Sequence, residues 1–200
     1  MARATRQVPR YDPRQNRRFD TITLVKTIRP LLASDAEDLA EALSRNREFL
    51  SPWEPRRPET YFTPAGQADI VSASLERQAA GDLYCLVITD ESGAAAGRIT
   101  LTITRGPFQS AIMGYWLCEH LGGRGLATAA VGETVDLAFG ALGLHRIEAG
   151  TIPENYRSQS VLRKNGFVPF GYAPAYLEIA GRYRDHLLFQ RLAPGIAASG

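Results

Sequence analysis

The stretch Met113–Ala138, MGYWLCEHLGGRGLATAAVGETVDLA, decides how the rest of this chain is read. It runs from an apolar strand through a glycine-dense turn into an amphipathic helix, with Val131, Val135, Ala138 and Leu142 at helical spacing. Gly122, Gly123 and Gly125 leave little side chain between the two elements. Backbone amides there can close on a ligand, and the first helical turn leaves its N–H groups unpaired beside the positive end of its dipole. That combination predicts a phosphate site, to which the Arg124 guanidinium adds a charged fork. A dinucleotide fingerprint needs a third glycine where Thr128 stands, and a P-loop needs a Gly-Lys-Ser/Thr that the turn lacks.

Working outward, Gln109–Leu117 is the strand entering the turn. It follows a predicted strand pair, Leu83–Thr89 and Ala96–Arg105, joined at Asp90-Glu91-Ser92-Gly93. Thr21–Leu32 alternates as a first strand, and Ser34-Asp35-Ala36-Glu37 has the form of a capping box for a helix with Leu39, Ala42, Leu43 and Phe49 inward. Ser51–Pro58 is a proline-punctuated loop. Thr63 caps a second helix with Pro64 at its first position, Ile70, Val71, Leu75 and Ala79 on its face and Gly81 as its stop.

Beyond the turn, the helix ends near Gly140–Gly143 and His145–Ile152 is a strand. Asn155 caps a short helix with Val161 and Leu162 inward, closed by Asn165-Gly166; Phe167–Tyr172 and Arg182–Leu192 are the last strands. The order β α α β β β α β α β β divides its strands too often for a sandwich and too irregularly for a barrel. It predicts an α/β fold, a mixed sheet with helices on both faces.

Two hundred residues suit one such domain, and a net charge of +2 argues against a whole-molecule nucleic-acid binder. The balance is uneven: residues 1–29 hold eight Arg or Lys against two Asp, a net of +6, which leaves −4 for the remainder. Residues 1–19 are expected to form a solvated basic arm, 20–192 the domain, and 193–200 a flexible tail. No apolar run is long enough to cross a membrane, and the start lacks the apolar core of a secretory signal. Cys85 and Cys118 sit in apolar strand contexts and are expected to be buried thiols, as in a reducing cytoplasm.

His120-Leu121-Gly122-Gly123-Arg124-Gly125 resembles the acetyl-CoA loop of the GNAT N-acetyltransferases, with His at the place usually held by Gln or Arg. The element order is similar to theirs over about residues 20–192. Leu144-His145-Arg146-Ile147-Glu148-Ala149, Pro153-Glu154-Asn155-Tyr156-Arg157-Ser158 and Leu162–Phe167 resemble the RimJ/RimL branch of ribosomal-protein alanine N-acetyltransferases. So do Gly181–His186 and Pro52-Trp53-Glu54-Pro55. The resemblance implies a largely antiparallel sheet with acetyl-CoA in the splay of its central strands. It also implies direct acetyl transfer to an amine, without a metal or a covalent enzyme intermediate.

It further implies pyrophosphate on the amides of Gly122–Ala127 and pantetheine along Tyr115, Trp116 and Leu117, like an added strand. A backbone N–H near Leu117 would face the thioester oxygen. Asn155 is explained as a helix cap and, by resemblance, also as a cofactor contact; Ser158 could meet the sulfur or be an ordinary first-turn serine. Strand alternation puts Glu148 and Gly150 on one face. Some relatives carry a catalytic glutamate where this chain has Gly150, which makes Glu148 the first candidate base. Its alternative is an ion pair with Arg146 or Arg98, and Glu54 and Glu178 are the reserves. The tyrosine acid of some relatives falls at Leu162. Tyr176 and Trp53 either line an acceptor groove or are structural. His145 and His186 lie without metal-ligand spacing.

A protein α-amine has a pKa of about 7.7–8.0, whereas lysine, near 10.4, is roughly 0.1% neutral at pH 7; a modest base therefore suits an N-terminus better. The expected protein is a cytoplasmic, monomeric or homodimeric acetyl-CoA-dependent enzyme that acetylates a protein N-terminus, with a ribosomal protein as acceptor. The basic arm would favour approach to RNA. The rival readings are acetylation of a small amine (antibiotic, polyamine or amino acid) and a CoA-binding sensor without catalysis.

Overall fold

Leu83 to Ile88 are all buried, alternate side chains entering two different cores, which requires a sheet covered on both faces. The computed structural model describes residues 27–195, so the expectations for residues 1–19 and for 196–200 lie outside the described residues. Strands β1 (Ile28–Pro30), β2 (Leu83–Thr89), β3 (Ala95–Thr104), β4 (Ser110–Leu117), β5 (Arg146–Thr151), β6 (Val168–Ile179) and β7 (Arg182–Leu192) form one seven-stranded sheet in the order β1-β2-β3-β4-β5-β7-β6. Only β4 and β5 pair in parallel. The helices are α1 (Ala36–Arg45), α2 (Arg47–Leu50), α3 (Pro64–Ala80), α4 (Leu126–Phe139) and α5 (Tyr156–Lys164).

One core lies between the sheet and α4 and α5, built on Leu101, Met113, Val131, Val135, Ile147, Leu162 and Phe189; the other packs Leu39, Leu43, Val71, Cys85 and Val87 beneath α1 and α3. Local chemistry accounts for most boundaries. The Thr63 hydroxyl accepts the Gly66 N–H at 3.1 Å, Pro64 opens α3, and Gly81 closes it at φ +84°. Asn155 Oδ1 accepts the Ser158 N–H at 3.0 Å, and Gly166 leaves α5 at φ +73°.

Four expectations are corrected. Within the described residues the first strand is confined to Ile28–Pro30. Ser34 does not cap α1: the Asp35 carboxylate reaches back to the Leu32 N–H at 2.8 Å and holds Arg29 in a fork at 2.7 and 2.8 Å, so tertiary charge pairing took over the capping residue. Strand β6 runs seven residues past Tyr172, to Ile179, because pairing with β7 carries it across Pro174 at an irregularity. An additional short helix, α2, precedes the proline loop, and Ala79 lies exposed while the face of α3 buries Gln67.

Candidate active site

The two parallel strands pair only at Ser110 with Arg146, Ala111 with Ile147 and Ile112 with Glu148. Beyond Ile112, β4 continues to Leu117 and β5 to Thr151 without pairing to each other. The Cys118 N–H bonds the Ala96 carbonyl of β3 at 2.8 Å, so by strand alternation the Leu117 N–H faces the opposite edge, across the gap. The gap opens into a cleft of about 920 Å³ that reaches both faces of the sheet. Its lining includes Tyr115, Trp116, Leu117, Asn155 and Ser158, with Trp53 and Glu54 on the α1–α3 side.

The glycine turn forms one end of this cleft. Gly122, Gly123, Gly125, Leu126 and Ala127 line it, while Arg124 is exposed and stands outside the lining. Gly123 and Gly125 have φ of +77° and +85°, conformations that a side chain would strain. No side chain caps α4; its first intrahelical amide is Ala129 bonding Gly125 at 3.0 Å, which leaves the amides of Leu126, Ala127 and Thr128 for a ligand. Asn46, which sequence reasoning missed, bonds the Glu119 N–H at 2.8 Å through Oδ1 and so ties the end of α1 to the start of the turn.

Ser158 Oγ lies 2.8 Å from the Tyr115 hydroxyl, which also donates toward the Ser158 carbonyl at 3.2 Å. Burial pushes the Tyr115 phenol up to about 12, so it stays protonated through neutral pH. Trp116 has a buried indole N–H without a partner among the described residues, on the cleft wall.

The carboxylates separate clearly. Glu54 lines the cleft with a fifth of its side chain exposed, and desolvation pushes its pKa up, partly opposed by Arg57, with Nε 4.0 Å away, and Arg98. Glu148 accepts from Arg146 Nε at 2.6 Å, and Arg146 lies over the Phe170 ring at 4.9 Å. It lines a shallow pocket with Ile112, Gly150, Phe170, Tyr176 and Leu188, which meets the large cleft at Ala149 and Gly150. Glu178 is exposed and outside both. His186 is buried in the cleft wall, its ring 5.2 Å from that of Tyr176. Its place was invisible in sequence because β6 and β7 had first to pair. Among the described residues no cluster of His, Cys, Asp or Glu could hold a metal.

A parallel pair splayed after three residues, a glycine-bounded helix terminus at one end of the gap and a strand N–H facing across it define an acyl-thioester site on an acetyltransferase scaffold. The chain matches the acetyltransferase (GNAT) domain family over residues 27–168, and it belongs to that family. It is therefore an acetyl-CoA-dependent N-acetyltransferase of the RimJ type.

It is 37% identical over 169 residues to the probable N-acetyltransferase YjcK of Bacillus subtilis, covering 84% of this chain and 93% of that protein. Identity to the ribosomal protein uS5-alanine N-acetyltransferase of Escherichia coli is 33% over 162 residues, 80% of this chain and 84% of the other. The structure of Mycobacterium smegmatis RimJ in complex with CoA-disulfide superposes with a TM-score of 0.80 at 34% identity, covering 86% of this chain and 84% of that one.

Proposed function

We propose that this chain acetylates the N-terminal amine of a protein, and that the acceptor is a ribosomal protein. The observation that carries the reading is the cleft through the sheet, lined both by the glycine turn and by the desolvated carboxylate of Glu54. Acetyl-CoA supplies the acetyl group as an activated thioester. The residues present fit it, since the unpaired amides of Leu126–Thr128 suit pyrophosphate and the unpaired edge of Tyr115–Leu117 suits an extended amide-bearing arm. The Leu117 N–H is oriented to bond the carbonyl oxygen as charge develops on it, a contribution of about 3 kcal/mol for one such donor.

Asn155 accepts the Ser158 N–H, and the Tyr115 hydroxyl lies 2.8 Å from Ser158 Oγ; with the phenol donating to Oγ rather than to the Ser158 carbonyl, the serine proton would be free for a departing sulfur. Between the two candidate bases, Glu54 is favoured. It borders the cleft, its raised pKa makes it a better proton acceptor, and no guanidinium closes on it as Arg146 closes on Glu148. The identity to a uS5-alanine N-acetyltransferase supports the ribosomal acceptor. The test is thiol release from acetyl-CoA with peptides beginning Ala, Ser, Thr or Met, beside lysine peptides and polyamines. Turnover confined to free N-termini supports the proposal. Turnover on polyamines or lysine side chains alone overturns the acceptor assignment and leaves the enzyme class in place.

A further inference from the structure

The outer hairpin, β6 with β7, breaks its ladder at one place beside the cleft. Ala173 pairs with His186 and Leu177 with Arg184, so Pro174, Ala175 and Tyr176 stand opposite Asp185 alone. Ala175 is left-handed at φ +46°, a conformation disfavoured for a residue with a Cβ and kept only where the surroundings impose it. The imposing group is Asp185: its carboxylate accepts the Ala175 N–H at 2.8 Å and the Tyr172 O–H.

Alternation along β7 places Asp185 on the face opposite its neighbour His186. The carboxylate therefore grips the bulge from behind, while the Tyr176 ring lies in front, against His186. Bulges beside active sites re-aim side chains. Here the re-aimed ring walls the pocket floored by Gly150 and bounded by Ile112, Phe170 and Leu188. That pocket holds about 20 Å³, room for a group of about one water's size.

We propose that Asp185 is a positioning residue for acceptor selection. By pinning the bulge it holds Tyr176 over the Gly150 pocket, so that the cleft takes extended peptides whose first side chain is small. The inference rests on the peptide-acceptor reading above.

The experiment compares D185A, D185N, Y172F, Y176A and D185A/Y176A on peptides beginning Ala and Leu, with hydrogen exchange followed over residues 172–177. D185A should raise KM for the Ala peptide about tenfold, the scale of one lost hydrogen bond, and shrink the preference for Ala over Leu. Both kcat and the KM for acetyl-CoA should stay within about twofold, because the bulge touches neither the glycine turn nor Ser158. D185N, which keeps an acceptor for the Ala175 N–H, should fall between D185A and the parent, and D185A/Y176A should match Y176A.

A parental KM in D185A, or an effect of D185A that persists undiminished in the Y176A background, overturns the proposal. Y172F removes only the outer hydrogen bond and gives the same reading if D185A does not fold. If the parent chain turns over no peptide, the proposed function fails by itself. The pinning is then decided by exchange: faster at 175–177 in D185A, or in Y172F if D185A does not fold, supports it, and unchanged exchange overturns it.

Discussion

The two halves of the sheet are built to different rules. Strands β1–β4 are sealed, with α1 and α3 over one face and α4 on the other, and β2 buries residues in unbroken succession. Strands β5, β7 and β6 rest on α4 and α5 but leave their other face bare, where Ile112 at its margin is 53% exposed, Val168 54% and Phe170 41%. Burial on both sides stabilises β2 and β3, while the free end of β4, Tyr115–Leu117, lines the cleft. The second half gives up that stabilisation on one face, and the cleft opens where the two meet. On the peptide-acceptor proposal, acceptor recognition falls to different strands of the sheet from those buried on both faces.

The largest expected effect tests the junction. E54Q should lower kcat by about 10²- to 10⁴-fold, the usual contribution of a general base, with the acetyl-CoA KM little changed. In the parent, kcat/KM should rise with pH through a limb displaced above the ordinary carboxylate range, because burial raises the Glu54 pKa. The folded state then holds this proton more tightly than the unfolded state. Its stabilisation is complete below the unfolded pKa and is lost as pH rises through the folded one. E54Q should accordingly melt no lower than the parent at pH 7 while losing activity. A parental rate in E54Q would return the base to Glu148.

Next comes a pair that separates the halves. L101A, in the sealed core, should cost about 2–5 kcal/mol by denaturant unfolding. F170A, on the open face, should cost about 1 kcal/mol or less and appear instead in the acceptor KM. Equal destabilisation would mean that the open face is covered in solution.

The two helix caps sharpen the contrast. T63A and N155A should each cost about 1 kcal/mol. Only N155A should also raise the KM for acetyl-CoA, since its side chain holds Ser158 at the cleft. Smallest of all, breaking the exposed Glu41–Arg45 pair, 3.4 Å apart on α1, should change stability by about 0.5 kcal/mol or less.

Sequence patterning located most of this architecture because the decisive signals were local. Thr63-Pro64 and Gly81, Asn155 and Gly166, and the glycines of the turn announce their boundaries through backbone geometry that few other residues supply. Local rules failed where distant groups competed for the same atoms. The box read at Ser34 did not form, because the Asp35 carboxylate turned back to Arg29 and the Leu32 N–H, and Gln67 was buried to donate to the Tyr61 carbonyl at 2.6 Å. The candidate site divides in the same way. The turn, Asn155 and Ser158 lie in short local motifs, whereas Glu54 and His186 reach one cleft, and Tyr176 reaches His186, only through the tertiary fold.

By itself, then, the sequence determined the order and type of the elements, the glycine-bounded terminus of α4 and the family, because periodicity, caps and turns act over a few residues. Only the tertiary structure decided that Glu54 rather than Glu148 borders the large cleft, and where β6 ends. It alone brought Asp185 to the bulge that carries Tyr176. Each of these depends on which strands lie side by side, and neighbours across a sheet are set by the summed packing of both cores rather than by any single segment.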